Sequence, residues 1–501
     1  MHRDYDFTEP SFRAVPLRDP LSKPALQRLL ATLLQRRLIP LAGAGLSAGS
    51  PTDAPQASAV ADRLVEFARN AGLQAQIDGL EDPRDLGEVA AVLCEALGRG
   101  PLERELLAVD WAGRPFNVGH LAIALMYGEG LVSVGFTTNW DPLIARAADT
   151  IADLRLWCPC DIHSLRVSGH PMLVHLHGDV DHPASLVATT AELGNPDAAL
   201  WTQPQLAAAL ARGELMLVGF GVEPEYIMKT LEGVVGVVAD PPAAVINRRP
   251  QAEFVERSSR LAAASQIDGS STNYVEGSAT DCLAEALRVL YSALISKVLD
   301  DARQRGRGVF QDRLTQEGAE RVSAAVLSGS LADLLGLLWT AAFLPSGRRA
   351  TRQPTVRSLH DDLAAAIAVV MVLASAEDVT DVVRTDTGLR LLTGQGPVDL
   401  WLVLPENRMT TTAAAREGTA QSSGLSKPPD GEVPLVMIFA RTDGAAPGGG
   451  HANLVGTQPA GALADRIRQP ADLLTLEGLS SRAHLLHGDA PFSLRDLLRL
   501  P

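Results

Sequence analysis

The pattern that most constrains this chain is an alternation. Short apolar runs, LIPLAG at 38–43, LVSVGFTT at 131–138, MLVHLHG at 172–178, ELMLVGFG at 214–221 and AAVINR at 243–248, are separated by longer stretches of helical periodicity. Strands this apolar are buried on both faces, and strands connected through helices run parallel. The expectation is a Rossmann-like, doubly wound α/β sheet with an inserted helical subdomain, followed by a C-terminal α+β region.

Placing boundaries on that pattern gives a first domain over 1–300, with the helical insertion at about 54–115. There ASAVADRLVEFARNAGL and RDLGEVAAVLCEALGRG both repeat apolar residues every three or four positions. The stretch after AAVINR reads as a loop leading into the amphipathic helix ATDCLAEALRVLYSAL. The second region, 301–501, reads as helical at 300–345 and 355–376, with strands at VDLWLVL (398–404) and VPLVMIFA (433–440). A polar, small-residue segment at about 409–432 reads as a flexible linker, and GAAPGGG at 444–450 is of the same kind.

Charge and cysteine content exclude some classes. The formal net charge of −15 over 501 residues argues against a duplex nucleic-acid surface, which needs clustered Lys and Arg. The cysteines Cys94, Cys158, Cys160 and Cys282 are scattered, and one C-x-C is not a zinc site. Such usage fits a reducing cytoplasm, and MHRDYDFTEP lacks the apolar core of a signal peptide. The longest apolar run, LAAAIAVVMVLASA at 363–376, is shorter than the roughly 18–20 residues of a membrane-spanning helix. A soluble, cytoplasmic protein with no membrane contact is expected.

Three motifs stand at the carboxyl ends of the expected strands, where open α/β sheets place their ligands. In LAGAGLSAG, Gly43, Gly45 and Gly49 leave the first strand-to-helix turn bare. A pyrophosphate could use that bareness, and so could an ordinary tight turn; the spacing is not the usual G-x-G-x-x-G. In TTNWDP, Asp141 followed by Pro142 fits a helix N-cap and first helical position, or a ligand contact. In MLVHLHGD, His175 and His177 point the same way if both lie on the strand, and His177 before Gly178 is either a satisfied buried histidine or a base.

In order, GAGLS, NVGHLAIAL, TTNWD, HLHG, LVGFGVEP and VIN resemble the sirtuin (SIR2) family from residue 38 to about 290. The resemblance implies an NAD-binding catalytic domain. Gly43, Ala44, Gly45 and Ser47 would hold the pyrophosphate. Thr138, Asn139 and Asp141 would hold the nicotinamide riboside end, His177 would be the catalytic base, and Gly219 and Asn247 would line the adenosine side. Asn139, Asp141 and His177 are the implied catalytic set.

The departures are equally specific. No cysteine lies in 178–213, so the structural zinc of the protein-deacylating sirtuins is not expected, and SPTDAPQ replaces their P-D-F-R element. The chain is similar to the bacterial SIR2-like branch that hydrolyses NAD+ to nicotinamide and ADP-ribose within anti-phage defence. That branch implies NAD+ as a consumed substrate, and a C-terminal region that senses a protein or nucleotide signal. It also implies a homo-oligomer or larger complex. An NAD-dependent protein deacylase or ADP-ribosyltransferase of the same superfamily is the alternative. A metal-dependent nuclease with Asp399 on VDLWLVL is set aside, because no E-x-K follows on VPLVMIFA.

Overall fold

A computed structural model describes residues 23–149, 154–161, 169–194, 201–220, 228, 231–232, 244–310, 313–329, 356–385, 388–394, 396–403, 435–439, 454–455 and 494. The chain divides into two compact units, one of 1–7 and 17–287, the other of 8–16 and 288–501.

In the first unit, helix α1 (Lys23–Leu34) leads into β1 (Leu38–Ala42), which ends in a single 3₁₀ turn at Ala44–Leu46. Four helices follow, α2 (Ala57–Asn70), α3 (Gln74–Asp78), α4 (Leu86–Leu97) and α5 (Arg99–Leu107), and then α6 (Val118–Gly128). Next come β2 (Val134–Thr137), α7 (Leu143–Asp149), β3 (Met172–His175), α8 (Thr190–Gly194), α9 (Thr202–Leu210), β4 (Glu214–Val218) and β5 (Ala244–Asn247). Two helices, α10 (Gln251–Arg257) and α11 (Ser259–Ala264), precede β6 (Tyr274–Glu276) and the long α12 (Ala279–Phe310), whose residues from Arg288 on belong to the second unit.

The six strands form one parallel sheet in the order β3-β2-β1-β4-β5-β6. That order is the doubly wound dinucleotide-binding arrangement, and its topological switch point lies between β1 and β4. Strand β1 is buried along its whole length, as a central parallel strand must be. Leu41, Phe136, Val174, Leu217 and Val245 stack across successive strands in the sheet core.

The helices α2 to α5 enclose a second core around Val60, Leu64, Val89, Leu93 and Leu102. Val180, Leu186 and Ala188, from the loop after β3, belong to that same cluster. The insertion is therefore fastened to the carboxyl edge of the sheet through the segment that follows His177. Arg99 reinforces the joint by hydrogen bonding the Glu192 carboxylate and the Leu186 carbonyl.

Three expectations need correction here. The stretch read as a loop after AAVINR contains α10, α11 and the edge strand β6. Phe254, Leu261 and Ala262 bury its apolar positions, but those positions are too few to stand out among polar neighbours. Also, β3 ends at His175, so His177 lies in the following turn and does not share a strand face with His175. The amphipathic helix expected at 279–294 runs on to Phe310, so position 300 falls inside it.

The second unit has helices α13 (Gln316–Leu327) and α14 (Val356–Leu373) and five strands. These are β7 (Val379–Thr385), β8 (Gly388–Thr393), β9 (Gly396–Val403), β10 (Leu435–Phe439) and β11 (Leu454–Val455), in the order β11-β10-β9-β8-β7. Pairing is antiparallel except between β9 and β10. The apolar run at 363–376 is core: Ala364 to Ala374 are all buried. Among the described residues no helix is long and apolar enough to cross a membrane. Of the expected helix over EPEYIMKTLEGVVG only Met228, Leu231 and Glu232 are described, all three helical, and the expected helix over 331–344 and the polar segments at 409–432 and 444–450 lie outside the described residues.

Candidate active site

At the switch point the sheet opens into a cavity of about 910 Å3, and every residue to which the resemblance assigns a part in the site lines it. Gly43, Ala44, Gly45 and Ser47 come from the β1 turn, Thr138, Asn139 and Asp141 from the end of β2, His177 from the end of β3, and Gly219 and Asn247 from the ends of β4 and β5.

What needs a bare backbone after β1 is first of all another backbone. Gly45 N–H donates to the Gly219 carbonyl at 2.9 Å, and a Cβ on Gly45 would stand 2.7 Å from Gly219 Cα. Gly219 itself has φ +60°, a conformation side chains disfavour. The two turns close on each other, and the cavity lies beside them. Asn247 braces this end, its Nδ2 donating to the Phe220 carbonyl at 2.9 Å and its Oδ1 accepting from Arg249 N–H at 3.1 Å.

Ser47 is the hub of the opposite end. Its hydroxyl donates to Asp141 Oδ2 at 2.8 Å and lies 3.0 Å from both Asn139 Nδ2 and His120 Nε2. The protonation pattern follows from the neighbours. Asn117 N–H donates to His120 Nδ1 at 3.1 Å, so Nδ1 is an acceptor and the proton sits on Nε2, which donates to Ser47. The Ser47 oxygen thus accepts from His120 and Asn139 and gives its proton to Asp141. Burial holds the His120 imidazole neutral, its pKa lowered to about 4 although the Asp141 carboxylate opposes the shift.

Asp141 serves two ends at once. Oδ1 accepts from Leu143 N–H at 3.2 Å at the start of α7, and Oδ2 accepts from Ser47. The expected cap is formed by one oxygen, and the other ties Asp141 to Ser47. Asn139 is oriented by Thr137 Oγ1, which accepts its backbone N–H at 3.0 Å, and its Oδ1 is buried with no partner among the described residues. Thr138 continues the β1 ladder by donating its N–H to Ala42. Trp111 and Trp140 meet edge to face at 5.8 Å and wall the pocket.

His177 is buried, and desolvation pushes its pKa down to about 4, so at neutral pH it is a proton acceptor. Gly178 lets the chain turn away: its φ is +82°, and a Cβ there would lie 2.2 Å from the Ser185 carbonyl oxygen. His175 is also buried but stands 3.8 Å from Asp179 and does not line the cavity. Cys158 is pushed up to about 12, chiefly by burial. Among the described residues no three His, Cys, Asp or Glu side chains are placed to hold a metal ion.

Sequence reasoning missed His120. Its signal was present in NVGH: Asn117 caps α6 by accepting from Gly119 and His120, and the residue three positions on returns an acceptor to the cap. The arginines Arg84, Arg248 and Arg249, which also line the cavity, were missed as well.

Fold and site define a doubly wound α/β domain with a pocket at the dinucleotide switch point. Within it, residues 133–268 match the family model described as the SIR2-like domain. No curated protein matches the chain. Solved structures that resemble it include one described as a structural basis for the mechanism and regulation of Sir2 enzymes. It is 15% identical over 54% of this chain and 97% of that one, with a TM-score of 0.31. A Sir2 homolog–NAD complex is 19% identical over 53% and 94%, at 0.30. A mutant Sir2 homologue with ADP-ribose is 16% identical over 54% and 97%, also at 0.30.

Proposed function

We propose that the first unit is an NAD+ glycohydrolase, cleaving NAD+ with water to nicotinamide, ADP-ribose and a proton. The observation that carries this reading is the convergence, in one cavity, of a glycine turn at the switch point with Asn139, Asp141, Ser47 and a neutral buried His177. The match of residues 133–268 to the SIR2-like domain supports it. Breaking the nicotinamide–ribose bond leaves a neutral leaving group and an electron-poor ribose carbon, so the enzyme must orient one nucleophile and exclude the rest of the water. His177 is suited to take the proton of the attacking water. Asn139 presents a buried carboxamide oxygen to the pocket while its nitrogen is fixed on Ser47. Asp141 holds the Ser47 proton and so sets which lone pairs the hub offers.

The same reading makes the protein an NAD-depleting effector, with regulation assigned to the second unit. The test is chromatography of NAD+, nicotinamide and ADP-ribose from cells expressing the wild type or His177→Ala. NAD+ loss with both products for the wild type alone is the expected outcome. NAD+ loss only in the presence of a peptide that loses its acyl group or gains an ADP-ribosyl group, with no free ADP-ribose formed, would refute it.

A further inference from the structure

The adenosine side of the cavity carries more positive charge than a neutral ribose uses. Asn247, at the end of β5, is followed by Arg248 and Arg249, and both line the cavity. Neither guanidinium has a carboxylate within ion-pair distance among the described residues. The acidic lining residues lie elsewhere: Asp141 on Ser47, and Asp82 and Asp85 on the segment before α4.

Arg248 does not stand alone. A Cβ built on Gly49 would lie 3.4 Å from Arg248 Nη2 and 3.1 Å from Thr280 Oγ1, so the guanidinium and the hydroxyl flank one spot just past the glycine turn. Thr280 is 9% exposed, and its hydroxyl has no partner among the described residues. It sits in the first turn of α12, a 32-residue helix whose leading residue, Ala279, lines the cavity. The leading amides of such a helix lack intrahelical partners and favour an anion. Asp281, in the same turn, is exposed and does not line the cavity. A cation, a buried hydroxyl and a helix N-terminus thus converge, each independently suited to a phosphate.

We propose that this corner reads a phosphate on the adenosine ribose, so that the preferred substrate is a 2′-phosphorylated adenine dinucleotide of the NADP+ class. The inference rests on the reading above, in which the pyrophosphate lies on the Gly43–Ser47 turn and the adenosine extends toward β4 and β5. In dinucleotide folds an acid at a strand's carboxyl edge reads a free 2′-hydroxyl, whereas an arginine receives a 2′-phosphate. Here the edge carries arginines. Arg248 supplies charge and a fork of donors matched to phosphate oxygens, Arg249 a second cation, and Thr280 a neutral donor.

The experiment uses the full-length chain with His177→Ala, so that consumption does not obscure binding, titrated calorimetrically with NADP+ and separately with NAD+. NADP+ should bind at least about 10-fold more tightly. Adding Arg248→Ala should weaken NADP+ by about 10- to 100-fold, as loss of a charged hydrogen bond does, and NAD+ much less. Arg249→Ala provides a second variant, and unchanged melting of the nucleotide-free protein shows that each is folded. Equal or tighter binding of NAD+ overturns the inference and leaves the hydrolase reading intact, as does an equal loss for both nucleotides in Arg248→Ala. Binding of neither nucleotide overturns both.

Discussion

At the scale of the residue, His177 and His120 differ in how far sequence could find them. His177 was visible because it precedes a glycine at a strand's end. His120 lies inside an apolar helix, and only the three-dimensional structure shows its Nε2 reaching across to Ser47. His120→Ala should lower turnover by about 100-fold through misplacement of Ser47 and Asp141, with a larger effect on kcat than on KM. His120→Gln, which keeps a donor near the Nε2 position, should recover part of that loss. Both histidines are held neutral by burial, with pKa values near 4 against about 6.5 unfolded. The unfolded chain therefore takes up protons first. Stability is unaffected above pH 6.5 and falls between pH 6.5 and 4, by up to about 3 kcal/mol for each histidine. Urea unfolding at pH 7 and pH 5 should show that slope, and replacing His177 with Gln should flatten it; an unchanged slope would count against burial as its cause.

At the scale of the element, what could be read was whatever repeated. The central strands are uniform apolar runs, and their parallel order follows from the helices between them. Strand β6 has only three residues, and α10 and α11 bury few side chains each, so none produced a period. The β7–β8 hairpin was also unread, since VTDVVRT and GLRLLT mix charges into short strands whose inner face alone is buried, at Val379, Val382, Leu389 and Leu391. The positions of the glycines were legible, but their reasons were not. Gly72 and Gly178 share φ +82°, yet a Cβ on Gly72 meets nothing within 4 Å while one on Gly178 meets the Ser185 carbonyl. Gly72→Ala should therefore cost only conformational strain, about 1 kcal/mol, and Gly178→Ala distinctly more, with loss of the His177 geometry. Thermal melts of the two variants, with turnover measured beside them, separate strain from collision.

At the scale of the whole molecule, the switch point explains why residues scattered from Gly43 to Asn247 line one cavity. Parallel strands all end at one edge, so motifs separated by a hundred residues in sequence become neighbours without any one of them being decisive alone. Each motif alone is ambiguous for the same reason: a turn, a cap and a buried histidine are each ordinary until the sheet order brings them to one cavity. The consequence is measurable by linkage, since a ligand that binds only the folded chain raises its stability by RT ln(1 + [L]/Kd), about 2.7 kcal/mol at a hundredfold excess over Kd. Full-length His177→Ala should gain that stabilisation from an adenine dinucleotide, because the proposed function has His177 act on water and leaves the nucleotide to the remaining lining. Asn139→Ala should gain less, for it empties a fixed contact of the pocket and leaves the Ser47 oxygen one donor short. If both variants were stabilised equally, Asn139 would be no part of the binding surface. The hub would then act on the structure of the turn alone, through Asp141 and His120.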